Sequence, residues 1–227
     1  MLSGKILMNK PDYIFAPSEK PSREIFEVPL IKANDGNVQG YGVIVNEFTE
    51  IEIEIVKWPA PGWRTVDEGT GNEGGVTEGT FSSEWVGDVL FGRNKAVDGK
   101  YVFGWSVDPQ SASEMQKTVP RNQVLIWHMN YHPDGGQLFF PLENKPFVVP
   151  VALPGDDISP NDVVAFWFDG TKGFYIHPNI WHEGVFPTGE NQKFLDRQGK
   201  VHARISCDFG EEFGVYLSVP LPHDCND

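Results

Sequence analysis

The chain has little positive charge and lacks long apolar runs. Its 227 residues include 18 lysines and arginines against 32 acidic residues, which gives a formal net charge of −14. Because nucleic-acid phosphates require a basic face, this balance argues against a nucleic-acid partner but is compatible with a small anionic substrate. The sequence contains no run of 18 apolar residues, so we expect no membrane span.

Cysteine is also scarce, and no leader segment is apparent. Cys207 and Cys225 are the two cysteines, and we expect them to be reduced thiols rather than a disulfide. The apolar patch near the N-terminus is interrupted by Lys5, Asn9 and Lys10, which makes it too short for a signal peptide. These features predict a cytoplasmic location.

Turn-forming and aromatic residues are abundant, with 24 glycines, 18 prolines, 16 phenylalanines and 7 tryptophans. Many turns between short apolar runs predict an all-β sandwich or barrel. The runs that predict strands are 25–32, 41–46, 51–57, 85–91, 101–107, 123–128, 137–140, 147–152, 163–168, 173–176, 202–208 and 214–219.

Two segments do not fit the strand pattern. Residues 58–81 hold six glycines and two prolines, which predicts a long loop, either a surface excursion or a cover near a cavity mouth. Residues 109–118 are the best candidate for a short helix. With no repeat or linker in the sequence, we expect one domain over residues 1–227 with an irregular lead-in over residues 1–37.

Four of the six histidines fall in residues 127–141 and 173–187. Two such segments can bring His132 and His182 to one cavity from different strands. His128 shares a face with His132 if that stretch is extended, although beside Trp127 we expect a structural role for it. Imidazole, amide and carboxylate groups suit either a divalent metal or acid–base chemistry without one.

The chain resembles the ureidoglycolate lyase family in two segments, HPDGGQLFFPLENKPFVVPVALPGDD and AFWFDGTKGFYIHPNIWHEGVFP. The first carries the family's His-Pro-x-Gly-x-Gln-x-Phe-x-Pro run at His132, Pro133, Gly135, Gln137, Phe139 and Pro141. The second matches the family's later pattern at Ala165, Phe166, Gly170, Gly173, His177, Trp181 and His182. Order and spacing agree over residues 130–187.

The resemblance implies a cupin-type double-stranded β-helix, a jelly-roll barrel with few short helices. It implies a lyase that breaks the C–N bond of ureidoglycolate to give glyoxylate and urea, a step of allantoin and purine breakdown. Family members are generally homodimers. The cofactor is either a divalent metal (Ni, Zn, Mn or Fe) or none.

Site residues follow from the matched motifs. His132 and His182 would be the acid–base pair or, together with Gln137, the ligands of a metal. His177 and Glu183 are second choices for catalysis, and Gln137 would otherwise orient the hydroxyl or carboxylate of the substrate. The candidates for binding a small anionic substrate are Lys172, Arg204, Tyr175, Arg64 and Asp208.

The chain also departs from the family pattern. Ile176 stands where the family has Tyr, with Tyr175 one place earlier, and Glu183 replaces a second His. Phe209 follows Asp208 where the family has Arg. A related but different substrate therefore stays open, as does another cupin enzyme such as an isomerase, a sugar-acid lyase or a metal-dependent dioxygenase. A third alternative is a non-catalytic cupin that binds a small acid or sugar, which would show ligand-induced stabilisation without turnover.

Overall fold

The computed structural model describes residues 20–56, 62–71, 75–200 and 203–225, and within them the chain is almost entirely β. The first sheet contains ten strands, in the spatial order β1 (Glu24–Glu27), β17 (Val215–Pro220), β7 (Gln123–Ile126), β6 (Gly99–Trp105), β5 (Val89–Asn94), β4 (Val76–Val86), β15 (Asn191–Gly199), β9 (Gln137–Pro141), β12 (Gly173–Ile176) and β3 (Gly42–Val45). The all-β prediction is confirmed.

The second sheet has the spatial order β16 (Ile205–Asp208), β8 (His128–Tyr131), β13 (Trp181–His182), β10 (Phe147–Ala152), β11 (Val164–Phe168) and β2 (Leu30–Lys32), and β14 (Phe186–Pro187) also pairs with β10. Among the described residues the helical structure consists of one α-helix, α1 (Phe209–Phe213), and one 3-10 turn (Pro160–Asp162). No described helix is long and apolar enough to cross a membrane.

Aromatic side chains join the two sheets. The ring of Phe147 in the second sheet meets Phe194 of the first edge-on, with ring centroids 5.1 Å apart. Phe168 and Phe174 make a second contact between the sheets, at 5.0 Å. All four rings are buried, and large buried aromatic surfaces contribute strongly to stability. This face-to-face arrangement is the one expected of a cupin-type sandwich.

Several strand boundaries differ from the sequence prediction. The predicted strand 25–32 is divided at Val28–Pro29, because its first part pairs with β17 and its second with β11. The predicted strand 85–91 is a hairpin joining β4 to β5. In residues 51–56 only Ile55 makes a ladder contact, a single bridge to Gly135. Lys57 and His202, the ends of two predicted strands, lie outside the described residues.

The predicted loop 58–81 is wrong at its C-terminal end, because residues 76–81 begin β4 and pair with β15. Residues 62–71 are held to the body of the protein by Arg64. Its backbone N–H donates to Asp156 Oδ2 at 2.6 Å, and its guanidinium makes a two-pronged contact with Glu212. The remainder of that loop, residues 58–61 and 72–74, lies outside the described residues.

The predicted helix over residues 109–118 is also wrong. The fully buried carboxylate of Asp88 accepts hydrogen bonds from the backbone N–H groups of Ser113 and Thr118 and from the Thr118 hydroxyl. These bonds offer the backbone an alternative to helical hydrogen bonding, so the segment wraps around Asp88. Burial opposes the charge on Asp88, but the hydrogen bonds from Thr118 and Ser113 outweigh it and lower its pKa.

We predict that Asp88→Ala lowers the free energy of unfolding by about 2 to 4 kcal/mol, because it strands buried N–H donors. A carboxyl whose pKa is lower in the folded state than in the unfolded state contributes stability that is lost as the pH falls through the folded-state pKa. The variant lacks this carboxyl, so its free energy of unfolding should fall less in acid than that of the wild type. Urea denaturation at pH 7 and at pH values below the ordinary carboxyl pKa of 3.8 measures both effects. The exposed Glu114→Ala serves as control, and equal stability of the two variants would contradict the prediction.

Candidate active site

Strand β8 places three polar side chains on the inward face of the second sheet. His128 and Asn130 belong to this strand, and His132 follows it directly. Alternate residues of a strand point the same way, and these three line one cavity of about 60 Å³. Met129 and Tyr131, between them, join the hydrophobic core instead. The sequence motif WHMNYH therefore presents its polar residues to a single space between the sheets.

Backbone carbonyls hold the imidazoles of His132 and His182. The Nδ1 atom of His132 donates to the carbonyl of Ala203 at 2.8 Å, and Nδ1 of His182 donates to that of Ile180 at 2.8 Å. Because a carbonyl can only accept, each Nδ1 carries a proton. The two rings lie 5.1 Å apart on the cavity wall. Burial lowers the pKa of His182, which favours its neutral form.

A buried chain of hydrogen bonds runs from His182 through Gln137 to Asp196. The Gln137 Oε1 atom lies 3.2 Å from His182 Nε2, and Gln137 Nε2 donates to Asp196 Oδ1 at 2.7 Å. Asn94 Nδ2 donates to the other carboxylate oxygen at 2.9 Å. Burial raises the pKa of Asp196 to about 7, against the opposing effect of the hydrogen bonds from Gln137 and Asn94.

The geometry of this series of hydrogen bonds is compatible with a proton on either of two groups, Asp196 or His182. When Asp196 is ionised, the Gln137 oxygen and the Nε2 atom of His182 face each other, so a proton or a cation must lie between them. When Asp196 is protonated, the amide can turn over, accept from Asp196 and donate to a neutral His182. Gln137 thereby couples the charge of the buried Asp196 carboxyl to His182 on the cavity wall.

The same atoms are chemically suited to a divalent metal. Two imidazole nitrogens and an amide oxygen match the ligands of Zn, Ni, Mn or Fe, and Nδ1–H bonds to backbone carbonyls are typical of metal-binding histidines. Within the described part of the chain, no group of three His, Cys, Asp or Glu residues could hold a metal. A metal at this wall would therefore need Gln137 beside His132 and His182.

An imidazole–carboxylate pair and an arginine–aspartate ion pair complete this part of the site. His128 Nδ1 lies 2.9 Å from the Oε2 atom of Glu183, and their side chains are only 9% and 12% exposed. Arg204 also lines the cavity, where its Nε atom donates to Asp67 at 2.8 Å. The wall thus combines an imidazole–carboxylate pair, which can hold or transfer a proton, with a guanidinium suited to an anion.

Five of the residues selected from the sequence meet at this cavity, namely His132, Gln137, His182, Glu183 and Arg204. The other five do not line it. His177 lies half-buried outside, against the ring of Tyr175, and the hydroxyl of Tyr175 accepts the backbone N–H of Glu54. Lys172 is exposed beside a separate groove.

The last two candidates have structural partners elsewhere. The Arg64 guanidinium binds Glu212 and the carbonyl of Asp156, which anchors the chain near residue 64. Asp208 caps helix α1 by accepting the backbone N–H of Glu211 at 2.9 Å. Burial raises the pKa of Asp208 despite this hydrogen bond. Cys207 and Cys225 form no disulfide, and burial raises the pKa of Cys207.

Sequence reasoning missed three groups at or behind the cavity wall. His128, expected to be structural, lines the cavity opposite Glu183, and Asn130 was not selected at all. The period-two spacing of residues 128, 130 and 132 is the signal that could have indicated both. Asp196 carried no such signal, because the run NQKFLDRQG in β15 reads as a polar loop.

The fold and cavity define a cupin-type β-sandwich with a histidine-lined site. Residues 105–210 match the family model described as Ureidoglycolate lyase. Ureidoglycolate lyase of Azotobacter vinelandii is 37% identical over 102 residues, which cover 43% of this chain and 60% of the relative. That of Pseudomonas paraeruginosa is 41% identical over 87 residues, covering 37% and 50%.

Ureidoglycolate lyase of Escherichia coli (strain 55989) is 35% identical over 94 residues, which cover 40% of this chain and 59% of the relative. Residues 105–210 are thus similar to the ureidoglycolate lyase family, which agrees with the resemblance seen in the sequence. The chain spans between one half and three fifths of the length of these curated relatives.

We predict that Asp196→Asn alters how stability depends on pH. The folded-state pKa of about 7 lies above the ordinary value of 3.8, so burial of the ionised carboxylate costs stability as pH rises from 4 to 8. The variant should lose this dependence. Between pH 4 and pH 8 its free energy of unfolding should therefore fall by up to about 4 kcal/mol less than that of the wild type. Urea denaturation across that range measures it, with the exposed Glu84→Gln as control. Parallel curves for wild type and Asp196→Asn would contradict the assignment.

Proposed function

We propose that this chain cleaves the C–N bond of ureidoglycolate, or of a closely related small α-hydroxy acid, to release glyoxylate and urea. One observation carries the proposal: His132, Gln137 and His182, selected from family motifs, line one cavity between the sheets. The match of residues 105–210 to the lyase family supports the same reaction. The proposal assigns the activity named for the relatives to a chain that aligns with only part of their length.

The reaction needs one base and one acid around a single carbon. That carbon bears a hydroxyl, a carboxylate and the ureido nitrogen. A neutral His182, or His132 beside it, takes the hydroxyl proton as the C=O bond forms and the C–N electron pair leaves with nitrogen. His128, held by Glu183, returns a proton to the leaving nitrogen. Arg204 binds the carboxylate of the substrate.

We further propose that the side chains of His132, Gln137 and His182 can hold a divalent metal. When bound, it would act as a Lewis acid that lowers the pKa of the substrate hydroxyl. His128, Glu183 and Arg204 would keep their roles in moving the proton and binding the anion. By the family resemblance, we also propose a homodimer, which light scattering of the purified protein would test. From the composition of the sequence we propose a cytoplasmic location.

Turnover of racemic ureidoglycolate, followed as glyoxylate release, tests the proposal. We expect His132→Ala and His182→Ala each to lower kcat by about 100-fold or more, because each removes an acid–base or ligand group. His223→Ala, on an exposed residue near the C-terminus, should match wild type. A strong chelator abolishes release if a metal acts and leaves it unchanged otherwise. No release from folded, metal-supplied protein would exclude ureidoglycolate as the substrate.

A further inference from the structure

Residues 67–70 form a clasp around Arg204, which lines the cavity. The backbone N–H of Asp67 donates to the carbonyl of Arg204 at 2.8 Å, and the backbone N–H of Arg204 donates to the hydroxyl of Thr70 at 3.1 Å. The same hydroxyl closes the turn by donating to the Asp67 carbonyl at 2.9 Å. Arg204 is therefore held through its backbone by a turn that lies 134 to 137 residues earlier in the chain.

The carboxylate of Asp67 also holds the side chain of Arg204. Its Oδ2 atom accepts the Nε–H of Arg204 at 2.8 Å and the hydroxyl of Ser206 at 2.6 Å. The side chains of Arg204 and Asp67 are 12% and 20% exposed, so the ion pair is partly shielded from water. A loop that only covered the edge of the second sheet at β16 would need the backbone bonds but not this carboxylate. The ion pair therefore indicates a role in orienting the guanidinium.

A hydrogen bond at Nε restricts the whole guanidinium of Arg204. The group is planar and rigid, so one anchored N–H sets the direction of the other nitrogen atoms. An arginine has many rotamers, and ordering it only when a ligand binds lowers affinity. Because Asp67 holds Arg204 in the folded protein, this ordering precedes binding. Arg204 is then a pre-ordered cation at the wall of the cavity, suited to a carboxylate.

The clasp belongs to the Gly-rich loop, whose role the sequence left open. Arg204 lies within residues 105–210, the part that is similar to ureidoglycolate lyases, whereas the clasp precedes that part. Arg64, earlier in the same loop, is tied to Glu212 through two nitrogen atoms. The loop is thus anchored at one point and engages the cavity-lining arginine at another.

We propose that Asp67 is a positioning residue, which holds Arg204 in the orientation that binds the carboxylate of the substrate. This inference rests on the proposed function, in which Arg204 has that role. The charge of Asp67 gives the inference a distinctive sign. Coulomb attraction alone predicts that removing a negative charge beside Arg204 strengthens anion binding, whereas loss of positioning weakens it.

Two ligands that lack the reactive hydroxyl isolate the carboxylate contact. N-carbamoylglycine carries the carboxylate, and its neutral amide, N-carbamoylglycinamide, is of similar size. Calorimetric titration of the wild type should show a preference for the anion of about tenfold or more. Asp67→Ala should weaken binding of the anion by about five- to tenfold and leave the neutral amide unchanged. Asp67→Asn, which keeps an acceptor for Nε, should bind the anion within about threefold of the wild type.

Glu68→Ala is the matched control, because it removes the same charge from the neighbouring, exposed position. It should bind both ligands as the wild type does. Arg204→Gln should abolish the preference for the anion, and adding Asp67→Ala to it should change nothing further. If Asp67→Ala does not fold, Asp67→Ser, whose hydroxyl is too short to reach Nε, is judged by the same criteria.

Three results would overturn the inference. Tighter or unchanged binding of the anion by Asp67→Ala would show that Asp67 acts by charge alone or not at all. An equal loss of both ligands would indicate that the clasp only supports the fold. A wild type without preference for the anion would exclude the carboxylate role of Arg204.

The ligand titrations separate this inference from the lyase proposal. If ureidoglycolate is not cleaved but Asp67→Ala loses the preference for the anion, Asp67 positions Arg204 in a site with another reaction. If ureidoglycolate is cleaved and the preference survives in Asp67→Ala, the lyase proposal stands and the role of Asp67 is overturned.

Discussion

The site depends on one constraint, that polar side chains walled in by an apolar β-sandwich must find hydrogen-bond partners or hold a ligand. Two backbone carbonyls, of Ala203 and Ile180, meet this constraint for His132 and His182. By fixing a proton on each Nδ1, they determine that Nε2 is the atom left for chemistry. Acid–base catalysis and metal binding both begin from this arrangement.

Two further pairs of side chains at the wall follow the same rule. Gln137 is partnered by Asp196, so a buried carboxyl sets the direction of its amide. Glu183 is partnered by His128, whose Nδ1 atom lies 2.9 Å from its Oε2 atom.

The sequence predicted the all-β class and the meeting of His132, Gln137 and His182, because alternation and motif spacing are local signals. It failed where a distant partner decides the outcome. The helix expected over residues 109–118 is replaced by bonds to Asp88, 25 to 30 residues away. Asp196 was missed because most residues of β15 are polar, and its pairing with β4 and β9 is what makes it a partly buried strand.

The most direct test of this account is nitrogen NMR of the histidine rings at pH 6. A free imidazole is largely charged at that pH, with an ordinary pKa of about 6.5. Burial predicts that His182 is instead neutral, although the hydrogen bond to the Ile180 carbonyl opposes this shift of its pKa. The same hydrogen bond keeps the remaining proton on Nδ1, so Nε2 carries a lone pair. A charged ring at His182, or a neutral ring with the proton on Nε2, would contradict the account.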